Sequence, residues 1–140
     1  MFRIFLVMLL AVSLSGCSAL SEGTEKAEQE VDHIHKLFND QEFDRIFTRA
    51  GQQYRDNTDK KIHDGLFKTV HRKLGQVTNK TLSGWRVNAT TSGTFAVLTY
   101  ETEFAKGEGL ETFTINLVGE KAKMVGYNIN SPALIIDLEE

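Results

Sequence analysis

The chain has 140 residues, 41% of them hydrophobic and 25% charged, with eleven glycines and one proline, which suffices for one packed domain and excludes collagen-like and proline-rich disordered architectures. Sixteen basic against nineteen acidic side chains leave a formal charge of −3 and a pI near 5.8, which argues against a generic nucleic-acid binder. A single cysteine, Cys17, excludes an internal disulfide framework.

Met1-Phe2-Arg3 precedes an apolar run from Ile4 to Val12, and Ser13-Leu14-Ser15-Gly16-Cys17 closes it with small residues. Basic, then apolar, then small is the order of a secretory signal, and the run falls short of the roughly 20 apolar residues that a spanning helix needs. Leu14-Ser15-Gly16-Cys17 resembles the lipobox of bacterial lipoproteins. That resemblance implies cleavage between Gly16 and Cys17, removal of residues 1–16 as a signal peptide, and diacylation of Cys17. Two or three acyl chains hold a protein durably where one holds it only marginally. Ser18 stands where an Asp would resemble the inner-membrane retention signal of enteric bacteria, so the expected location is the outer membrane, facing the periplasm. Cleavage would remove Arg3 and no acid, so the mature surface is not drawn to anionic lipid by charge; the acyl chains must do that work.

Residues 17–30 contain Leu20 as the only large apolar side chain and read as the acylated cysteine with a flexible tether, followed by one domain over 31–140. From about Thr24 the composition favours helix, and Ala27, Val31, Ile34, Leu37 and Phe38 predict an amphipathic helix ending near Asn39. A second helix is predicted over 41–50, with Phe43, Ile46, Phe47 and Ala50 on one side and Gly51 as its stop. The third follows Thr58 and ends at Gly75, with Ile62, Leu66, Val70 and Leu74 as its stripe. After Gly75 the period drops to two. Strands are predicted over 78–89, bent at Gly84, then 94–104, 110–118 and 122–130, joined by turns at residues 106–109 and at Gly119-Glu120. In the second strand Ala96, Leu98, Tyr100, Thr102 and Phe104 share one face. Pro132 breaks the last strand, and residues 133–138 read as a short strand or a packed tail.

Helices followed by an antiparallel meander define an α+β domain in which N-terminal helices pack on a curved four-stranded sheet. The order is similar to the cystatin-like and NTF2-like superfolds. His71-Arg72-Lys73-Leu74-Gly75, Trp85, Tyr100-Glu101-Thr102-Glu103-Phe104, Glu111-Thr112-Phe113 and Gly126-Tyr127-Asn128-Ile129 also resemble a family of small, functionally uncharacterised bacterial domains of that fold, often in exported proteins. The resemblance spans residues 60–131 and implies fold, a cone-shaped pocket and export; it supplies no catalytic residues to carry over.

Residue chemistry excludes more than it selects. His33 and His35 lie two apart, nearly opposite on a helix, and His63 and His71 lie more than two turns apart, so no pair has the spacing of a shared metal and no cofactor pattern accompanies them. There is no GxSxG, and the one cysteine belongs to the lipobox. For acid/base work the candidates are His71, Tyr100, Glu101, Glu103 and Tyr127, while Glu101, Glu103 and Glu111 are expected on a solvated sheet face because a buried unpaired carboxylate is costly. His71, Trp85, Tyr100 and Tyr127 are the candidate pocket residues. Lys60, Lys61, Lys68, Arg72 and Lys73 make a mildly basic helix side, read as solvated surface rather than a nucleic-acid site.

The expected protein is therefore a membrane-anchored lipoprotein with a non-catalytic binding or accessory domain. That domain would engage an envelope protein or a small ligand through its concave sheet, with a homodimer through the sheet as a further option. The alternative is a small pocket enzyme using a carboxylate or His71. A buried acid or histidine in an open cavity would favour the enzyme; a filled cone with an exposed apolar sheet patch would favour the binding module.

Overall fold

The computed structural model describes residues 16–135; residues 1–15, on which nearly all of the expected signal peptide falls, and the tail 136–140 lie outside the described residues. Helix α1 (Gly16–Asn39) is followed by α2 (Phe43–Arg49), α3 (Gln52–Asn57) and α4 (Lys60–Leu74), then by strands β1 (Val77–Thr90), β2 (Gly93–Phe104), β3 (Gly107–Val118) and β4 (Lys121–Asn130), and by a short α5 (Pro132–Ile135). The strands pair in chain order as an antiparallel meander, β1-β2-β3-β4, and the helices cover one of its faces. This is the α+β architecture expected from the change of period at Gly75.

α1 lies along the sheet because Ala27, Val31, Ile34, Leu37 and Phe38 form one stripe, all of them buried. It meets Ala96, Leu98, Tyr100, Phe113, Ile115 and Met124, the inward residues of β2, β3 and β4. At its far end the Asn39 side chain accepts from Val77 N–H and donates to Val77 C=O, pinning the last turn to the start of β1. The stretch expected to be a tether is helical instead. α1 begins at Gly16, ahead of the start expected near Thr24; within the part already expected to be helical, Ala27 and Glu30 are buried and Glu30 pairs with Arg49 at 3.0 Å.

α3 has no apolar stripe, which is why periodicity missed it; Tyr54 is its single buried side chain. The chain docks there through Gly51, whose N–H donates to Met124 C=O at 2.7 Å and where an added methyl would lie 2.7 Å from Val125 Cγ1. α4 is capped by Asp59, whose carboxylate accepts from Lys61 N–H, and stops at Gly75, where φ is +79°. Its predicted stripe is out of phase in the first two turns. Ile62 is 67% and Leu66 37% exposed, while His63 and Phe67 join Val70 and Leu74 inside. A histidine can occupy that core position because both ring nitrogens are satisfied: the Tyr54 hydroxyl lies 2.8 Å from Nδ1, and Phe43 C=O lies 2.9 Å from Nε2. The network assigns the proton to Nε2.

His63 makes the fold pH-sensitive. Burial is the main effect lowering its pKa below the ordinary 6.5, so the unfolded chain takes up this proton first. Its contribution to stability is complete above pH 6.5 and declines as the pH falls below that value. Thermal melts from about pH 8 down to about pH 5 should show falling Tm, and His63→Gln, which gains no charge, should flatten that slope.

β1 is irregular at two places, between Val77 and Asn79 and between Leu82 and Gly84, the second matching the bend expected at Gly84. The β2–β3 turn is tighter than the glycine spacing suggested, with only Ala105 and Lys106 between Phe104 and Gly107.

Candidate functional site

The most chemically loaded point of the domain is Glu111 on β3, 2% exposed. Its Oε2 accepts from Thr102 Oγ1 at 2.7 Å across the β2–β3 ladder and lies 2.7 Å from His35 Nε2 on α1, while its Oε1 accepts from the Tyr127 hydroxyl of β4 at 2.7 Å. Four elements thus converge on one carboxylate. Burial is the largest single influence and pushes its pKa up, yet His35, Thr102 and Tyr127 together outweigh it and hold the carboxyl below its ordinary 4.5. Glu111 is therefore ionised at neutral pH, which makes His35 Nε2 the donor. Tyr127 is the converse case, its pKa raised well above 10 by burial first and by the Glu111 charge next, so it stays a neutral donor.

This cluster overturns the expectation that Glu111 faces water. Along β3 the buried residues are Glu111, Phe113 and Ile115, an unbroken period of two on the helix-covered face. The cost of an unpaired buried carboxylate is avoided by giving it three donors. Glu101 and Glu103 do lie on the opposite, exposed side of β2. The signal that locates Glu111 is its phase with Phe113 and Ile115; no feature of the sequence announces His35, whose contact with Glu111 spans 76 positions.

The four residues expected to share a pocket are not brought together in one. His71 on α4 packs between the rings of Phe38 and Phe43, at 5.2 and 6.0 Å. Tyr100 is buried against Phe113 with Lys80 over its ring, and burial pushes its hydroxyl pKa far up. Trp85 is 56% exposed on the edge strand β1. Only Tyr127 belongs to the cluster described above. The two remaining site residues, Gly16 and Cys17, occupy the first turn of α1.

The space between helices and sheet is filled. Phe67 stacks on Tyr127 at 4.9 Å and on Phe43 at 6.3 Å, and Phe113 packs on Tyr127 at 5.1 Å. The face of the sheet that meets the helices is thus covered by the chain's own side chains. Two shallow depressions open elsewhere. One, about 250 Å³, runs between α1 and β1 and is lined by Asp32, His35, Val77, Thr78, Asn79 and Lys80, with Lys80 and Asp32 paired across it. His35 is the floor of this groove, and its Nδ1 is buried without a partner. The other, about 450 Å³, includes Glu101, Glu103, Glu108, Leu110 and Asn130; Glu103 and Glu108 are direct cross-strand partners. Among the described residues no group of three or more His, Cys, Asp or Glu side chains is arranged to hold a metal ion, and no helix is long and apolar enough to cross a membrane.

Fold and site together define an α+β domain built around an ionised internal carboxylate, with its helix–sheet space closed by aromatic rings. The chain belongs to the family described as a protein of unknown function, DUF4019, whose model matches residues 30–127. That span contains His35, Thr102, Glu111 and Tyr127. No curated protein and no solved structure matches the chain.

Proposed function

We propose that this chain is a bacterial lipoprotein, acylated at Cys17, whose cystatin/NTF2-like domain is a non-catalytic binding or accessory module presented to the periplasm from the outer membrane. What supports a binding module over an enzyme is the packing of the interior: the titratable groups of the Glu111 cluster hydrogen-bond one another, and aromatic rings fill the volume a substrate would occupy. An envelope protein would then meet the sheet face left uncovered by helices, where Phe95, Val97, Thr99, Thr112 and Thr114 are only partly buried. Anchoring raises the effective concentration of such a module at the membrane, so modest affinity suffices.

Anchoring is tested by fractionation. Full-length protein should sediment with membranes and Cys17→Ala should move to the soluble envelope fraction; unchanged sedimentation of Cys17→Ala removes the lipoprotein reading. Accessory function is tested by crosslinked pull-down of the acylated protein against the same control, in which reproducible recovery of one envelope complex is the expected result.

The acid/base alternative is kept by one observation, the unpartnered Nδ1 of His35 at the floor of the α1–β1 groove. On that reading the working base is His35, oriented by Glu111, in place of His71. Screening small-molecule binding with wild type against His35→Gln separates the two readings, since a partner-binding sheet face would be indifferent to that change.

A further inference from the structure

α1 joins the proposed acylation site to the core without a break. Cys17 is in its first turn, and at about 1.5 Å of rise per residue Gly23 sits roughly 9 Å from it along the axis. Gly23 already packs on the sheet: a methyl added there would lie 3.0 Å from Leu117 Cδ1, near the end of β3. One turn later Lys26 pairs with Glu120, in the β3–β4 turn, at 2.9 Å. Even fully extended, the six residues from Cys17 to Gly23 reach only about 20 Å. The end of the sheet carrying the β3–β4 turn therefore cannot lie far from the acylated residue.

The meander places the β1–β2 turn, Thr91 and Ser92, at that same end, because β1 pairs with β2 through Thr90 and Gly93 and β2 pairs with β3 through Thr94 and Leu117. The other end carries the β2–β3 turn at Ala105–Lys106, Asn39 and the start of β1. Strands of twelve residues separate the two ends by about 40 Å, close to the roughly 36 Å length of the 24-residue α1. At the near end Val118 is 58% exposed beside Gly119, whose φ of +58° turns the chain, and charges of both signs surround it: Lys26, Glu120, Lys121 and Lys123. Such a tip has an apolar residue to offer a bilayer, and its three lysines against one glutamate leave only a small basic excess, too little to hold the domain on lipid without the acyl chains.

We infer that the β1–β2 and β3–β4 turns form the membrane-facing end of the domain, held against the lipid surface by α1 as a stiff strut from Cys17, with the acidic groove of Glu101, Glu103 and Glu108 directed away from the bilayer. The inference rests on the lipoprotein reading and adds an orientation to it. A free tether would let the domain tumble; a helical strut packed at Gly23 and Lys26 does not.

The test uses the full-length acylated protein in phosphatidylethanolamine/phosphatidylglycerol vesicles doped with a lipid carrying a nitroxide on its headgroup. Acylation blocks the Cys17 thiol, so a fluorophore attaches only at an introduced cysteine: Ser92→Cys or Lys121→Cys at the near end, Glu108→Cys at the far end, all at exposed positions. Quenching several-fold stronger at 92 and 121 than at 108 is expected. Equal quenching at all three positions in protein that does float with the vesicles overturns the orientation and leaves the anchor standing. Failure of the unmutated acylated protein to float, as expected of Cys17→Ala, overturns the anchor and the orientation with it.

Discussion

Glu111→Ala should cost about 3–5 kcal/mol of folding stability, the range seen when one partner of a buried, hydrogen-bonded charge network is removed. The loss is large because three donors depend on the same carboxylate: His35 Nε2, the Thr102 hydroxyl and the Tyr127 hydroxyl all face it at 2.7 Å. Deleting it leaves them buried and unpaired, which costs more than the bonds contributed. Glu111→Leu combined with His35→Leu should be milder than the sum of the single changes, with a coupling of about 1–3 kcal/mol, because the pair then leaves no charge behind. Urea unfolding read by circular dichroism measures both; an Ala variant within about 0.5 kcal/mol of wild type contradicts the network as described. The wild-type contribution also has a definite pH sense. Since the folded carboxyl titrates below its ordinary 4.5, its stabilisation is complete above that pH and is lost as the pH falls through the lower, folded value.

Phe67→Ala should be of the same size, about 3–5 kcal/mol for a fully buried phenylalanine. Phe67 is 1% exposed and its ring touches those of Phe38, Phe43, His63 and Tyr127, so it joins three helices to the sheet at one point. Truncation opens a cavity between α4 and β4 that the surrounding rings, locked by their own contacts, can close only in part. Phe67→Leu, which retains most of the apolar volume, should lose distinctly less. The expected signature is a lower urea midpoint with an unchanged m value. A second consequence bears on function. If the domain has no interior ligand, small apolar probes should bind Phe67→Ala and not the wild type, whereas binding to both would reveal space that the packed rings conceal.

Much of the core of α1, α2 and β2 was legible because the signal there is redundant. Ala27, Val31, Ile34, Leu37 and Phe38 repeat at helical spacing, Ala96, Leu98, Tyr100, Thr102 and Phe104 alternate without a break, and each of these residues is buried. α4 was legible as a helix but not in phase, because a pattern of apolar types cannot credit a histidine to the core. His63 is inside only because Tyr54 and Phe43, nine and twenty positions away, supply its partners. Glu111 misled for the same reason. Period two puts it on the face of Phe113 and Ile115, yet a lone carboxylate is assigned to water unless its donors are known, and those donors come from three other elements.

By itself, then, the sequence determined the succession of periods, 3.6 before Gly75 and 2 after it, and with it an α+β domain of helices on an antiparallel meander; both are local properties of spacing along the chain. The tertiary structure alone decided which polar groups go inside, that the helix–sheet space is filled, and that α1 continues through the stretch that composition assigned to a tether. Those outcomes depend on contacts such as His35 with Glu111, Lys26 with Glu120 and Gly51 with Met124. Residues that far apart in the chain have no shared periodicity, and only the folded backbone sets the distance between them.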